Sequence, residues 1–341
     1  MNKNKFIIYW LWTGLIMVVT MVIIGGITRL TNSGLSMVDW KLIAGAIPPL
    51  TAESWEQTFE QYKQFPEYQK LNYNMTLGAF KSIFWWEYLH RLLGRTIGLV
   101  FIIPFIFFWI KKWLDKQLMV RLMVIFVLGG FQGFLGWYMV KSGLVDVPHV
   151  SHFRLAIHLS AALVLFCAIL WTILGLRDEF TRDRWRPRLF FPYATLGLLF
   201  FQIVLGAFVA GLKAGYGYNN FPFMGETVLP TADMISIAPP FSNGPVVQFI
   251  HRWMAFVVLF AMGALYKISQ TEASTKRLGK WLLVVAGVQV ALGIATLMLA
   301  VPVVLGVLHQ LVAVILLGLL LAIVFHLHHS SVSTMPKIGS M

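Results

Sequence analysis

Glu87-Tyr-Leu-His90-Arg91 opens one long apolar run of this chain, and Gln248-Phe-Ile-His251-Arg252 opens another. Two further histidines, His158 and His309, each lie a few residues inside a later apolar run. An ionisable ring placed in hydrocarbon is costly, so such residues read as functional, with a partner to be named. Whether these runs cross a membrane therefore decides both the fold and the meaning of the histidines.

Composition answers that. Of 341 residues, 58% are hydrophobic and 12% charged, which is too apolar for a soluble domain of this length. Runs of about 20 apolar residues are the mark of membrane helices. Eight are expected, over 6–27, 88–110, 118–140, 155–175, 190–211, 247–268, 278–300 and 304–327. The fold class is thus an all-α integral membrane protein. The first run follows Lys3 and Lys5 and lacks a small-residue cleavage site, so it reads as a retained anchor rather than a signal peptide.

The net charge of +13 needs no nucleic-acid partner, because the positive-inside rule accounts for it. Lys111, Lys112, Lys116, Arg121, the arginines from Arg177 to Arg188, Lys267, Lys276, Arg277 and Lys280 fall in alternate, short connections. Those connections and both termini are expected to face the cytoplasm of a bacterial cell. The single cysteine, Cys167, excludes an intrachain disulfide and a cysteine-held metal cluster, and reads as a small buried apolar residue.

The chain repeats itself. Residues 24–49 align without a gap on 205–230, placing Gly25 on Gly206, Gly34 on Gly215 and Pro49 on Pro230. His90-Arg91 then matches His251-Arg252. Phe131-Gln132-Gly-Phe-Leu135-Gly136 resembles Val288-Gln289-Val-Ala-Leu292-Gly293, and His158 matches His309. The expected organisation is two tandem four-helix bundles related by a pseudo-twofold axis along the membrane normal. Residues 1–176 would be one half, 177–189 an Arg-rich cytoplasmic linker and 190–341 the other half. Four crossings return the chain to its starting side, so all four histidines fall in the outer leaflet, at or near the starts of their helices. They read as two axial-ligand pairs, hence two haems.

Glu87 precedes His90 by three residues and shares its helix face, yet its counterpart is Gln248. One half can ionise there and the other cannot, which suits a reaction centre in the first half. An interfacial carboxylate paired with Arg91 is the bland alternative. Arg91, Arg95 and Arg252 are candidate propionate contacts, with snorkelling toward headgroups as the alternative. Gly94 and Gly98 would let a flat macrocycle or another helix come close. The long outer loop, 28–86, is placed to cover the first half. His149 and His152 are read as loop residues, and His326, His328 and His329 as a solvated helix end.

Beyond these readings, Gly25-Gly-Ile-Thr-Arg29-Leu-Thr-Asn-Ser-Gly34-Leu-Ser-Met-Val-Asp39-Trp40, with Glu87-Tyr-Leu-His90-Arg91 and the later histidines, resembles the signature of the haem A synthases. The likeness covers nearly the whole chain and is strongest to the mitochondrial and alphaproteobacterial branch. It differs from members that carry paired cysteines in outer loops. It implies an oxidoreductase that converts the C8 methyl of haem O to a formyl group by successive hydroxylations, supplying haem A to cytochrome oxidase. By position, His90 and His158 would flank the substrate haem iron, Glu87 would be catalytic, and His251 and His309 would ligate a haem b cofactor. Haem O synthase, a farnesyl transferase, and a quinone or other electron acceptor are the implied partners besides the lipid bilayer. The rival reading is a non-enzymatic di-haem b cytochrome exchanging electrons with quinol, which leaves the Glu87/Gln248 difference unexplained.

Overall fold

Every long apolar run is a helix. The computed structural model describes residues 3–38, 44–145, 148–177 and 189–329. The spanning helices are α1 (Lys3–Leu30), α4 (Leu77–Ile110), α5 (Lys116–Lys141), α6 (His152–Arg177), α7 (Phe190–Gly211), α9 (Gly244–Ser269), α10 (Ala273–Met298) and α11 (Val303–His328). Three shorter ones, α2 (Ala52–Lys63), α3 (Pro66–Lys70) and α8 (Ala232–Ser236), lie in the connections. The protein is an all-helical, multi-pass integral membrane protein. Phe260, Ile110 and Val304 point outward, as expected where the solvent is lipid. Of the Arg-rich linker expected over 177–189, residues 178–188 lie outside the described residues.

The helices pack in two closed rings. In the first, α1 contacts α4 and α6, and α5 contacts α4 and α6. In the second, α7 contacts α9 and α11, and α10 contacts α9 and α11. Between the rings, α1 meets α11, α6 meets α7, and α6 meets α11. Exchanging the two halves leaves this contact pattern unchanged. Polar bonds reinforce the seam: Gln310 Nε2 donates to the Val22 carbonyl at 3.1 Å. Arg29 donates to the Ala210 carbonyl at the C-terminal end of α7, where helix carbonyls lack partners and the dipole favours a cation.

The second helix differs from its expected bounds. α4 begins at Leu77 rather than near 88, capped by Thr76, whose side chain accepts from the Ala79 N–H. The extra turns exist because Phe80, Phe84 and Tyr88 bury themselves against Trp55, Phe59 and Tyr62 of α2. Thr51 starts α2 with a capping box through Ser54. His90 accordingly sits roughly 20 Å along α4 rather than at its start. His152, expected in a loop, is the first residue of α6.

At the other end of α4 lies Pro104, which has no N–H to give to the carbonyl one turn earlier. The indole of Trp10 on α1 supplies the missing donor, bonding the Val100 carbonyl at 2.8 Å, while its ring packs on Phe101 with centroids 5.0 Å apart. Trp10→Phe should cost about 1 kcal/mol in detergent unfolding, the scale of one hydrogen bond between membrane helices. In a Pro104→Ala background the new amide serves Val100, so the cost of Trp10→Phe should shrink; an undiminished cost would show that the indole acts by packing alone.

Under α2 and α3, Tyr62 donates to Glu67 Oε2 at 3.0 Å and accepts from Asn72 Nδ2 at 2.8 Å. Burial pushes the Glu67 carboxyl up to about 7, with nearby Glu87 adding to the rise and the Tyr62 bond and Lys213 opposing it. A raised carboxyl pKa means that the folded protein binds more protons than the unfolded chain between the ordinary value of 4.5 and about 7. Stability of this loop should therefore fall as pH rises through that window. Hydrogen exchange across 52–72 should quicken between pH 5 and pH 8 beyond its intrinsic rate increase, and Glu67→Gln should flatten that excess.

Candidate functional site

Each of the four histidines faces a glycine on a neighbouring helix. A Cβ added at Gly25 on α1 would stand 3.1 Å from His90 Cε1, and one at Gly206 on α7 would stand 3.1 Å from His251 Cε1. At Gly136 on α5 it would stand 3.5 Å from His158 Cε1, and at Gly293 on α10 it would stand 2.9 Å from His309 Cε1. The four contacts follow the repeat: Gly25 aligns with Gly206, and Gly136 with Gly293. At Gly25, Gly206 and Gly293 an added Cβ would crowd the ring, whereas at Gly136 it would sit in ordinary contact.

The rings of His251 and His309 lie with centroids 6.5 Å apart and planes at 84°. Two metal–imidazole bonds of about 2 Å on opposite sides of one ion would put ring centroids about 6 Å apart. The Nδ1 atoms of all four rings are buried without a hydrogen-bond partner. Such groups are exceptional in native proteins, where buried polar atoms are almost always paired or engaged with a ligand. Gln289 Nε2 comes within 3.4 Å of His309 Nε2, and Gln202 Nε2 donates to the His251 carbonyl at 2.9 Å. The residues fit two haems held by imidazole pairs. No group of three or more metal-binding side chains occurs among the described residues, so iron held by a macrocycle suits them better than a bare ion.

In each half, helix side chains grip the connection that follows α1 or α7, and at positions 87 and 248 they do so with opposite hydrogen-bond polarity. Glu87, buried, accepts from Ser36 Oγ at 2.7 Å, from the Met37 N–H at 2.8 Å and from Arg91 Nη2 at 2.6 Å. Arg91 also donates to the Met37 carbonyl at 2.7 Å. In the second half, Gln248 Nε2 donates to the Ala214 and Gly217 carbonyls at 2.9 and 2.8 Å. Arg252 donates to the Tyr218 carbonyl and, at 3.0 and 2.9 Å, to those of Asn220 and Phe223. Met37 and Tyr218 are repeat equivalents, so the arginine clamp is common to both halves.

The Glu87/Gln248 exchange has a local partner that sequence reading passed over. Ser36 Oγ bonds both the Ser33 carbonyl, at 3.0 Å, and Glu87. Its equivalent is Gly217, which has no hydroxyl, and there the Gln248 amide serves the equivalent carbonyl directly. The alignment of 24–49 on 205–230 already held this pairing of Ser36 with Gly217. What it lacked was the fold that sets both opposite position 87 or 248. Arg95 lies one turn beyond Arg91 on α4.

A multi-pass membrane helical bundle with four glycine-backed histidines, their Nδ1 atoms buried, at matching places in two repeats is the class that fold and site define. The pattern of the COX15-CtaA family, described as cytochrome oxidase assembly protein, matches residues 8–321. Heme A synthase of Flavobacterium psychrophilum is 45% identical over 328 residues, 93% of this chain and 97% of that protein. Heme A synthase of Sinorhizobium fredii is 44% identical, covering 92% of this chain and 87% of its own length. Heme A synthase of Flavobacterium johnsoniae is 41% identical over 97% of this chain and 99% of its own. This chain belongs to the COX15-CtaA family of cytochrome oxidase assembly proteins.

The glycine contacts yield a direct test. Gly206→Ala and Gly293→Ala should each displace a ring and lower haem retention through purification about tenfold, the scale of other changes behind a metal-bound histidine. Gly197→Ala, where an added Cβ meets nothing within 4 Å, should retain haem fully. Equal retention in all three variants would remove the glycines from the site.

Proposed function

We propose that this protein is a haem A synthase, an oxidoreductase that converts the C8 methyl of haem O to a formyl group by successive hydroxylations. The observation that carries the reading is the set of four glycine-backed histidines in two repeats, taken with 41–45% identity to proteins named heme A synthase. In this reading His90 and His158 flank the iron of the substrate haem, and His251 and His309 ligate a resident haem b. When bound, haem b supplies a one-electron relay toward an external acceptor such as a quinone.

The division between halves rests on charge. A buried guanidinium without a counter-charge is costly. Arg91 has one of its own in Glu87, so a substrate can leave the first half without stranding a buried cation. Arg252 has no carboxylate partner among the described residues, only backbone carbonyls. A permanently bound haem would supply the missing anion through its propionates. That supports Arg252, with Arg91 and Arg95 in the first half, as the positive edge facing propionates, and it supports a transient ligand in the first half and a resident one in the second.

Glu87 is the acid nearest this chemistry in sequence and in space, held by donors from two segments. Its role in this reading is to stabilise positive charge developing at the C8 methyl, or to orient and deprotonate an attacking water. Both termini face the bacterial cytoplasm in this reading. The basic residues Lys111, Lys112 and Lys116 between α4 and α5, and Lys267, Lys276 and Arg277 between α9 and α10, support that side as the inner one. Haem O synthase is the partner that supplies the substrate.

Expression in a host that makes haem O but no haem A tests the whole reading. Haem A in the extract, with haem B retained on the protein, is the expected result; haem B with unconverted haem O under oxidising conditions would return the protein to the di-haem cytochromes. Glu87→Gln should keep haem content within about twofold and lower haem A formation by at least about a hundredfold, the scale of general acid–base catalysis. Full haem A formation would leave Glu87 a loop anchor only.

A further inference from the structure

Beyond His90 along α4, between α1, α4, α5 and α6, lies a cleft of about 180 Å³ that is partly open at the surface, where Gly94, Gly98, Gly129 and Gly130 are exposed. Five of its lining residues are glycines: Gly14, Gly94, Gly98, Gly129 and Gly130. A glycine within a helix costs about 1 kcal/mol relative to alanine, and in membranes the usual return is close helix packing. That return is missing here. A Cβ built at Gly14, Gly98, Gly129 or Gly130 meets no atom within 4 Å, and one at Gly94 reaches only Met21 Cε, at 3.5 Å. These glycines hold space open.

The other repeat carries larger residues against four of the five glycines, Gly130 alone meeting another glycine, Gly287. Carrying its alignment along each helix sets Gly14 against Thr195, Val18 against Leu199, Gly94 against Ala255, Gly98 against Leu259 and Gly129 against Ala286. Thr195, Leu199 and Ala286 are buried, and Leu259 packs against the same core. Both halves keep the histidines and their glycines, so both keep what a porphyrin needs. They differ in what lies farther along the helix.

Gly94 and Gly98 follow His90 by one and two turns on its own face. The cleft starts one turn beyond His90 and runs along α4 for about 10 Å, from Gly94 to Phe101. No charged residue lines it, and the one indole N–H among its walls, that of Trp10, is spent on the Val100 carbonyl. A space of this shape and chemistry suits an apolar chain carried by the ring that His90 holds.

We propose that this cleft receives the isoprenoid tail of haem O and so directs the tailed haem to the first half, while the second half takes the untailed one. The proposal rests on the synthase reading above. It is tested by giving Gly98 and Gly94 the residues of the other repeat. The parent chain, Gly98→Leu and Gly94→Ala/Gly98→Leu are purified from a host that makes both haem B and haem O, and extracted haems are counted per chain.

Gly98→Leu should lose haem O about tenfold or more while keeping haem B at the parent level, which also reports that the helices remain assembled. Undiminished haem O in both variants would overturn the cleft. So would a phospholipid, seen in the parent by native mass spectrometry, that disappears from Gly98→Leu while haem O remains, for the space would then belong to an acyl chain. Should Gly98→Leu lose both haems, Gly98→Ala replaces it, and haem O equal to the parent's there overturns the proposal. A parent chain that carries neither haem O nor haem A in this host fails the synthase reading itself, a result separable from any effect of the variants.

Discussion

A buried imidazole nitrogen with nothing to bond is the constraint on which the rest of this structure turns. Water is absent from the membrane interior, and an unsatisfied polar group there costs several kcal/mol. The chain carries four such nitrogens, one per histidine, at matching places in two repeats. The fold does not relieve them with neighbouring side chains. It presses glycine backbone against the rings and leaves the space between His251 and His309 at the width that one coordinated ion spans. Ring closure of the helices, the polar bonds along the seam and the arginine clamps on the loops all hold the rings in that unfulfilled arrangement.

On this symmetric frame the asymmetries carry the chemistry, and they point the same way. Glu87 with Ser36 gives the first clamp its own negative charge, whereas Gln248 with Gly217 gives the second none. The aromatic cover of α2 and the extra turns of α4 stand over the first half. Glycines line a cleft in the first bundle where the second carries Thr195, Ala255, Leu259 and Ala286. A resident cofactor needs a tight, fully packed pocket that lacks an anion of its own. A substrate that enters, reacts and leaves needs room, a lid and a charge balance that survives its departure.

Much of this was legible in residue order because hydropathy and repetition are one-dimensional signals. The eight spans fall within a few residues of their expected bounds except at α4, whose first turns mix Lys81, Ser82 and Trp85 with apolar residues and so carry no long apolar run. Its extension depends on α2, a partner that adjacency along the chain does not reveal. Gly25 and Gly206 were visible as a matched pair, but that each backs the histidine of the next spanning helix is a fact of packing. The Glu87/Gln248 difference was legible as a difference. Its hydrogen-bond consequence was hidden, because Ser36 and Gly217 lie far away in sequence, across the outer loop.

That consequence bears on how Glu87 can act. Its two oxygens accept from a hydroxyl, a backbone N–H and a guanidinium, and two of those donors, Ser36 and Met37, belong to the loop segment that follows α1. A proton taken up by Glu87 weakens its bond to Arg91 and replaces one acceptor site with a donor. The Ser36–Met37 segment then loses part of its hold on α4, while the Arg91 bond to the Met37 carbonyl remains. Chemistry at this carboxylate is thereby tied to the loop just after α1, whose Gly25 backs the His90 ring. The second half has no such tie, since Gln248 neither gains nor loses a proton and Arg252 bonds carbonyls alone. A protonation event at position 87 can therefore loosen the loop's hold on one half of the protein without disturbing the other.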